Sequence, residues 1–342
     1  MRYIGVDLHT TQLTVCYRDE LGSERLEIFA IDLVDKFISS LDSNDKVAYE
    51  ATGNSLFLYN KLLPVIGKDN IVVINTLQFK LISKSVKKTD KNDAKLIAEF
   101  LSKDMLPEAR LRSNLNARLY GLIETRENIV KQTTSFKNQI HNIFVQHGIK
   151  LKAKDVANEK NLLKLLTNYT FDDLTMFNLT LLKNGIVQNI KMCDEIEDKI
   201  YEVKDQIPHL NNLTSICGIG IKSAVGINAV IGDVANFASE DKIVAYAGLC
   251  PQVRNSNETV SHGRITKHGN KLMRKLLVQC AWVSVRYNPK MKKSYEDLRK
   301  RKPSGVAIIA IARRLLIQIF YTLKYNWYFT DTSNTVREIR VF

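Results

Sequence analysis

The sequence predicts an α/β domain followed by a mainly helical remainder. Three features predict this. Short apolar segments with strand character, interleaved with helix-type spacing, fill the first hundred residues. Two long amphipathic stretches without proline occupy the middle. The last third sets apolar and basic helix-type segments around a loop rich in Asn, Ser, Thr and Gly. A length of 342 residues accommodates two or three domains, and a hydrophobic fraction of 45% excludes wholesale disorder.

Residues 3–8 (YIGVDL) and 12–17 (QLTVCY) read as strands around a tight turn at His9-Thr10-Thr11. Residues 24–30 add a third strand, so the start is antiparallel. Residues 32–41 have helical spacing with Asp32 near the N-cap. Val47 to Glu50 is a short strand ending in an acid. Asn54 opens a helix through about Leu63, where Pro64 follows. Residues 71–75 (IVVIN) read as a buried strand, and Asp90 to Phe100 as a helix. Three antiparallel strands and then alternating helix and strand is the order of a ribonuclease-H-like sheet.

From Leu111 to His147 the pattern is helical, with Leu115, Leu119, Leu122, Ile129, Phe136, Ile140 and Ile143 among its apolar positions. A second helical stretch runs from Leu174 to about Val203, interrupted near Asn184-Gly185. The pair forms a helical hairpin or coiled coil, packed within one subunit or serving as a dimer interface. Farther on, Gly218 and Gly220 precede a small-residue helix. Glycines so spaced allow a tight turn and expose backbone N–H groups to phosphate, as in a helix-hairpin-helix DNA contact; a simple turn is the plainer reading. The expected division is an α/β domain over 1–105, a helical linker over 106–207, a mainly helical domain over 208–330 and a tail over 331–342.

The formal net charge is +14, which points to a polyanionic partner. It is concentrated: between Cys250 and Arg314, 16 Lys and Arg face three acids, Glu258, Glu296 and Asp297. A smaller cluster (Lys80, Lys84, Lys87, Lys88, Lys91, Lys95) surrounds Asp90 and Asp93. Such clusters bind nucleic acid by displacing condensed counterions, although an isolated run is ordinarily a solvated helix face. Five dispersed cysteines without a CxxC pair argue against a zinc ribbon or disulfide scaffold and fit a reduced cytoplasmic protein. No secretory pattern precedes Tyr3, and the apolar run Val306–Ala312, stopped by Arg313-Arg314, is too short to span a bilayer.

Four carboxylates fall at telling places. Asp7 lies near the end of the first strand and Glu50 ends the fourth. Asp90 and Asp93, three apart at a helix start, project from one face. If the first and fourth strands lie side by side, four oxygen donors surround one cleft. That is a site for two Mg²⁺ ions acting on a phosphodiester. Singly, each acid has a plainer role as turn residue, exposed strand end or helix cap. In residues 246–277, a loop serine among Arg254, Arg264, Lys267 and Arg274 has the surroundings to attack a phosphodiester, the cations stabilising the added negative charge. Without that context Ser256 and Ser261 are loop filler.

YIGVDLHTTQ, YEATGN and KKTDKNDAKLIA resemble the N-terminal motifs of the DEDD insertion-sequence transposases, a family that includes Piv-type DNA invertases. ICGIGIKSAVGINAVIGD, AYAGLCP and SHGRITKHGNKLMRKLL resemble their C-terminal transposase domain. The resemblance covers about residues 1–100 and 210–285. It implies that Asp7, Glu50, Asp90 and Asp93 are the Mg²⁺-binding acids of a RuvC-like domain. It also implies that Ser256 is the nucleophile, joined covalently to cleaved DNA. The loop here reads Asn255-Ser256-Asn257, without the family's glycine after the serine, so Ser261 stands beside Ser256. Cys217 replaces a proline common before Gly-Ile-Gly. The resemblance further implies strand exchange on donor and target DNA, guidance by a structured noncoding RNA, and a homodimer or homotetramer in which acids and serine come from different subunits. Nucleic-acid contacts are expected from Lys87, Lys88, Gly218, Gly220, Arg254, Arg264, Lys267, Lys271 and Arg274. The stretch Lys290–Lys302 and the N-terminal lysines are candidates for RNA.

Three other readings share parts of this pattern. A Holliday-junction resolvase uses four acids and water, without a covalent protein–DNA adduct. An actin-like kinase needs a second phosphate loop, which residues 100–330 lack. A nonenzymatic DNA- or RNA-binding protein descended from a decayed element is the third, although all four acids and the loop serine are present; recombination untouched by Asp7→Ala would overturn the catalytic assignment.

Overall fold

The structure, a computed structural model, describes residues 1–82, 89–256 and 259–329; at Leu77, 253–256, 259–262 and 264 it describes the backbone alone. The chain divides into two compact units, Met1–Leu111 and Arg112–Phe342.

The first unit runs β1 (Tyr3–Leu8), β2 (Gln12–Arg18), β3 (Glu24–Ala30), α1 (Val34–Ser39), β4 (Lys46–Glu50), α2 (Ser55–Ile66), β5 (Ile71–Ile74), α3 (Thr76–Ile82) and α4 (Asp90–Ser102). The strands form one mixed sheet in the order β3-β2-β1-β4-β5. β1–β2 and β2–β3 are antiparallel, whereas β1–β4 and β4–β5 are parallel. This sheet fits the ribonuclease-H-like order read from the sequence, with the first and fourth strands adjacent. Alternation decides what each face carries. Ile4, Val6, Leu13, Val15, Val47 and Tyr49 bury one face with Phe37 of α1 and Leu58 and Leu62 of α2. Each such side chain contributes roughly 1.5–3 kcal/mol on burial. On the other face, Cys16 meets Ala94 and Ala98 of α4, and Ala48 and Ile74 join Phe79 of α3 and Ile97 and Leu101 of α4.

Three local expectations are corrected. Asp32 caps nothing: it sits in a 3-10 turn, Ile31–Leu33, and α1 begins at Val34 without a side-chain cap. Pro64 does not end its helix, because α2 continues to Ile66. The proline falls in the last turn, where it removes a single backbone donor, and the buried Leu62 and Ile66 hold that turn on the sheet. α3 has no counterpart in the sequence reading, because seven residues carry too few apolar positions to show a period.

The second unit runs α5 (Asn114–Gln146), α6 (Glu159–Asn168), α7 (Asp173–Glu202), α8 (Leu210–Thr214), α9 (Ile221–Ile231), α10 (Glu240–Tyr246), β6 (Pro251–Ser256), β7 (Thr259–Ile265), α11 (Lys271–Tyr287), α12 (Pro289–Arg299) and α13 (Ser304–Lys324). α5 and α7 form an antiparallel hairpin. Arg126 pairs with Glu197 near one end, Phe136 meets Gly185 midway, and Ile140 and Phe144 cluster with Leu179 and Leu182 toward the other. The expected break at Asn184-Gly185 is absent. Gly185 is there because a Cβ would lie 2.7 Å from the Phe136 ring. Its glycine reflects close helix approach and not a turn.

The small residues of α9 have a similar cause. From Ala224 to Ile231 the helix is buried on every side, packed against α5, α8 and α11. The apolar run before Arg313-Arg314 belongs to a longer helix than the sequence reading allows. Among the described residues α13 alone is long and apolar enough to cross a membrane by length and composition, and its Ile308, Ile311, Leu315, Leu316 and Ile319 lie in the unit's core. The segment expected as an irregular loop is an antiparallel hairpin, β6 against β7, with Ser256 opposite Thr259 and Arg254 opposite Ser261. Its alternating Val and polar residues are a strand signal that its Asn, Ser and Gly content obscures.

Candidate functional site

The acids of the first unit gather by register. Val6 pairs with Tyr49 in the parallel β1–β4 ladder, so Asp7 and Glu50 stand one residue farther on, at the carboxyl ends of adjacent strands. Val6 and Tyr49 point into the α1–α2 face, which turns Asp7 and Glu50 to the opposite, α4 face. Gly5 sets how closely α4 lies there. A Cβ at Gly5 would collide with the Ala94 carbonyl oxygen and the Ala98 nitrogen. Asp90, Ala94 and Ala98 follow at intervals of four along α4 and share a stripe. With Ala94 and Ala98 over Gly5, the next turn back brings Asp90 over Asp7. Thr89 starts α4, its Oγ1 accepting from the Asn92 N–H at 3.3 Å. The cap is therefore Thr89, and Asp90 and Asp93 occupy the first turn, where the helix dipole favours negative charge.

The side chains converge on one point. Asp7 Oδ2 lies 3.0 Å from His9 Nε2, and Asp90 Oδ1 lies 3.6 Å from the same nitrogen. Donor atoms of Asp7, His9 and Asp90 all fall within 4.8 Å of one another. Glu50 and Asp93 are not part of this trio: the charge of Asp93 acts on Asp7, and Glu50 lies at the end of the adjacent strand. The Asp7 carboxyl is pushed above its ordinary range, first by burial and further by the charges of Asp90 and Asp93; His9 opposes the shift. Thr14, the cross-strand neighbour of Asp7, buries its Oγ1 without a hydrogen-bond partner among the described residues. Crowded carboxylates of this kind fit a divalent cation, which relieves their mutual repulsion and accepts their oxygens.

His9 is the site residue that sequence reasoning misses, because a place in a tight turn is its plainer role. A signal is nonetheless present: residues 7 and 9 are two apart at a strand end, so they emerge on one side.

In the second unit, Gly218 adopts φ +95°, and a Cβ there would collide with Ser284 Oγ on α11. Ser284 Oγ donates to the Cys217 carbonyl at 2.6 Å. This glycine is thus required by packing, while Gly220 lies exposed at the start of α9. Arg274 Nη1 donates to the Ala247 carbonyl at 3.0 Å, fastening the turn after α10. Lys267 and Lys271 are exposed, and Asn270 caps α11 by accepting from the Met273 N–H at 2.9 Å. Ser256 and Arg254 sit on β6, and Ser261 and Arg264 on β7; their side chains lie outside the described residues, as do Lys87 and Lys88 altogether.

Two family models match the chain, in order. A DEDD transposase model of the IS110 type, described as "Transposase", matches residues 4–149, and one described as "Transposase IS116/IS110/IS902 family" matches residues 210–296. A putative transposase of Sinorhizobium fredii is 27% identical over 72% of this chain and 60% of its own length. The transposase for insertion sequence element IS1111A of Coxiella burnetii is 26% identical over 66% of this chain and 64% of its own. A pilin gene-inverting protein of Moraxella lacunata is 26% identical, covering 75% and 73% respectively. Against the first two relatives, the chain thus spans somewhat less than two thirds of their length.

Proposed function

We propose that the chain is an IS110-type transposase, since it matches two models of that kind in order, and that it acts as a DNA recombinase that cuts and rejoins strands. The observation that carries this reading is the gathering of Asp7, Asp90 and Asp93 on the α4 face, with Glu50 on the neighbouring strand end. In this reading the four acids hold Mg²⁺, as two ions. Bound there, the metal supplies Lewis-acid stabilisation of the oxygens around a scissile phosphorus. The α4 packing against Gly5 fixes the acids before DNA arrives, so little reorganisation is left to the reaction.

The nucleophile is Ser256, carried on β6. Its Oγ bonds to phosphorus as the bridging DNA oxygen leaves, giving a phosphoserine linkage. Attack by the hydroxyl of a second strand then releases the serine, so the phosphodiester is conserved without an external energy source. Arg254, Arg264, Lys267 and Lys271 lie in the same stretch and neutralise the phosphates, with the Gly218–Gly220 turn as a backbone contact. The similarity to a pilin gene-inverting protein supports strand exchange over simple hydrolysis. The protein works as a homodimer or homotetramer, and a structured noncoding RNA selects donor and target DNA.

The test is covalent trapping. End-labelled DNA incubated with protein and Mg²⁺, then quenched in detergent, is expected to yield a protein–DNA adduct. Ser256→Ala should lose the adduct and still bind DNA. An adduct that survives Ser256→Ala and disappears in Ser261→Ala would move the nucleophile across the hairpin. Cleaved DNA without an adduct in the unaltered protein would make it a hydrolytic, resolvase-like nuclease.

A further inference from the structure

We propose that His9 is itself a ligand of the divalent cation, giving its Nε2 beside the carboxylates of Asp7 and Asp90. The inference rests on the reading of those two acids as metal ligands and adds a nitrogen donor to an otherwise all-oxygen set.

The distances carry it. His9 Nε2 lies 3.0 Å from Asp7 Oδ2 and 3.6 Å from Asp90 Oδ1. Two donors that share one cation at bonds of ~2.1 Å stand ~3.0 Å apart at right angles and ~3.5 Å apart at tetrahedral angles. Both spacings fall at these values. A histidine acting only as hydrogen-bond partner to Asp7 has no need to approach Asp90 as well.

The imidazole is also held in position from its backbone. The His9 N–H donates to the Gln12 carbonyl at 2.9 Å, and Asn54 Nδ2 donates to the His9 carbonyl at 2.9 Å. Asn54 is fixed in turn, its Oδ1 accepting from Thr52 Oγ1 at 2.7 Å. Thr52 and Asn54 follow Glu50 directly, so the turn bearing His9 is tied to the strand bearing Glu50. Gln12 Nε2 donates to Asp90 Oδ2 at 3.3 Å, leaving Oδ1 as the oxygen directed toward His9. Orienting partners of this kind behind a ligand are what a preformed metal site requires.

A nitrogen donor shifts preference along the divalent series. Imidazole suits the transition ions better than Mg²⁺, whose sites are built from oxygen. The site should therefore bind Mn²⁺ more tightly than Mg²⁺, and His9 should account for much of the difference.

Pulsed electron paramagnetic resonance of Mn²⁺ bound to the full chain is the direct test. The unaltered protein should show ¹⁴N coupling to the ion, and His9→Gln should lose it. In calorimetric titration His9→Gln should weaken Mn²⁺ by about tenfold or more and Mg²⁺ by less. His9 is half exposed, and circular dichroism of His9→Gln and His9→Asn checks that both fold. Asp7→Asn separates the two levels of inference. If Asp7→Asn abolishes Mn²⁺ binding while the unaltered protein shows no ¹⁴N coupling, or while coupling persists in His9→Gln, the role of His9 is overturned and the acid site stands. If Mn²⁺ binds equally well to Asp7→Asn, the acid site falls, and His9 with it.

Discussion

Asp7 is the residue at which the site works against the fold. Its carboxyl titrates above the ordinary range because burial and the neighbouring Asp90 and Asp93 disfavour its charged form. The folded-state pKa therefore exceeds the unfolded one, and between the two values the folded state holds more protons. The contribution of Asp7 to stability accordingly falls as pH rises from the usual aspartate range through the raised value, and stays lowered above it. Asp7→Asn should raise the melting temperature of the metal-free protein at neutral pH, and the gain should vanish in acid. A divalent cation should reverse the order. At a hundredfold excess over its dissociation constant it stabilises the unaltered protein by about 2.7 kcal/mol and leaves Asp7→Asn unmoved. Calorimetric scans with and without Mg²⁺ at two pH values decide both points, and an Asp7→Asn protein less stable than the parent without metal would contradict them. At this scale the sequence is legible where spacing fixes geometry: the strand ends and the i,i+3 pair locate Asp7, Glu50, Asp90 and Asp93. It does not reveal the proximity of His9 Nε2 to Asp90, because that depends on how far α4 descends over the sheet.

That descent is a property of two elements and of the one residue between them. Gly5 lets the α4 backbone approach β1 to a distance at which no Cβ fits, and Asp90 is positioned as a consequence. Gly5→Ala should push α4 outward, costing about 1–3 kcal/mol through overpacking and weakening Mn²⁺ binding by displacing Asp90 from Asp7. Loss of stability with undiminished Mn²⁺ affinity would show that Gly5 does not position the acids. The α5–α7 hairpin offers a matched pair of glycines. Gly185 faces the Phe136 ring, whereas Gly121, inside α5, has nothing within 4 Å of its missing Cβ. Gly185→Ala should therefore destabilise the protein, and Gly121→Ala should stabilise it by roughly 0.5–1 kcal/mol through helix propensity. Denaturant midpoints distinguish the two, and equal effects would remove the packing account of Gly185. Gly185 reads as a break in the sequence because a glycine within a helical pattern looks alike whether it ends a helix or admits a neighbour. Pro64 misleads in the same way, since a proline in a last turn and one beyond it differ only in packing.

Over the whole molecule, the clustered acids and the cationic excess lie on different stretches of the chain. The clustered acids belong to the first unit, whose cores are its own, while the cationic excess lies between Cys250 and Arg314 in the second. This division is legible in the sequence because charge is counted directly. The packing order of α8 to α13 is not, because helical periods identify buried faces and not their partners. Within the basic stretch, α12 and the turn after it hold a dense exposed set: Lys290, Lys292, Lys293, Arg299, Lys300, Arg301 and Lys302. Among the described residues, Lys300 pairs with Asp297 at 2.7 Å, Arg299 donates to the Lys302 carbonyl at 3.1 Å, and Lys293 and Arg301 also feel the charge of Asp297. Lys290, Lys292 and Lys293 form the cleaner test. If they neutralise phosphates, removing one such cation should lower the slope of log affinity against log salt by about 0.9 on duplex DNA. Replacing all three by Gln should reduce the slope by up to about 2.7 and weaken binding to unrelated sequences equally, because cations on phosphates carry no base information. Ser256→Ala should leave the slope unchanged while abolishing the adduct. A slope that stays fixed in the triple Gln variant would assign α12 to a solvated face and leave the phosphate contacts to the cations in and just after the hairpin, where Lys267→Gln and Lys271→Gln should lower it.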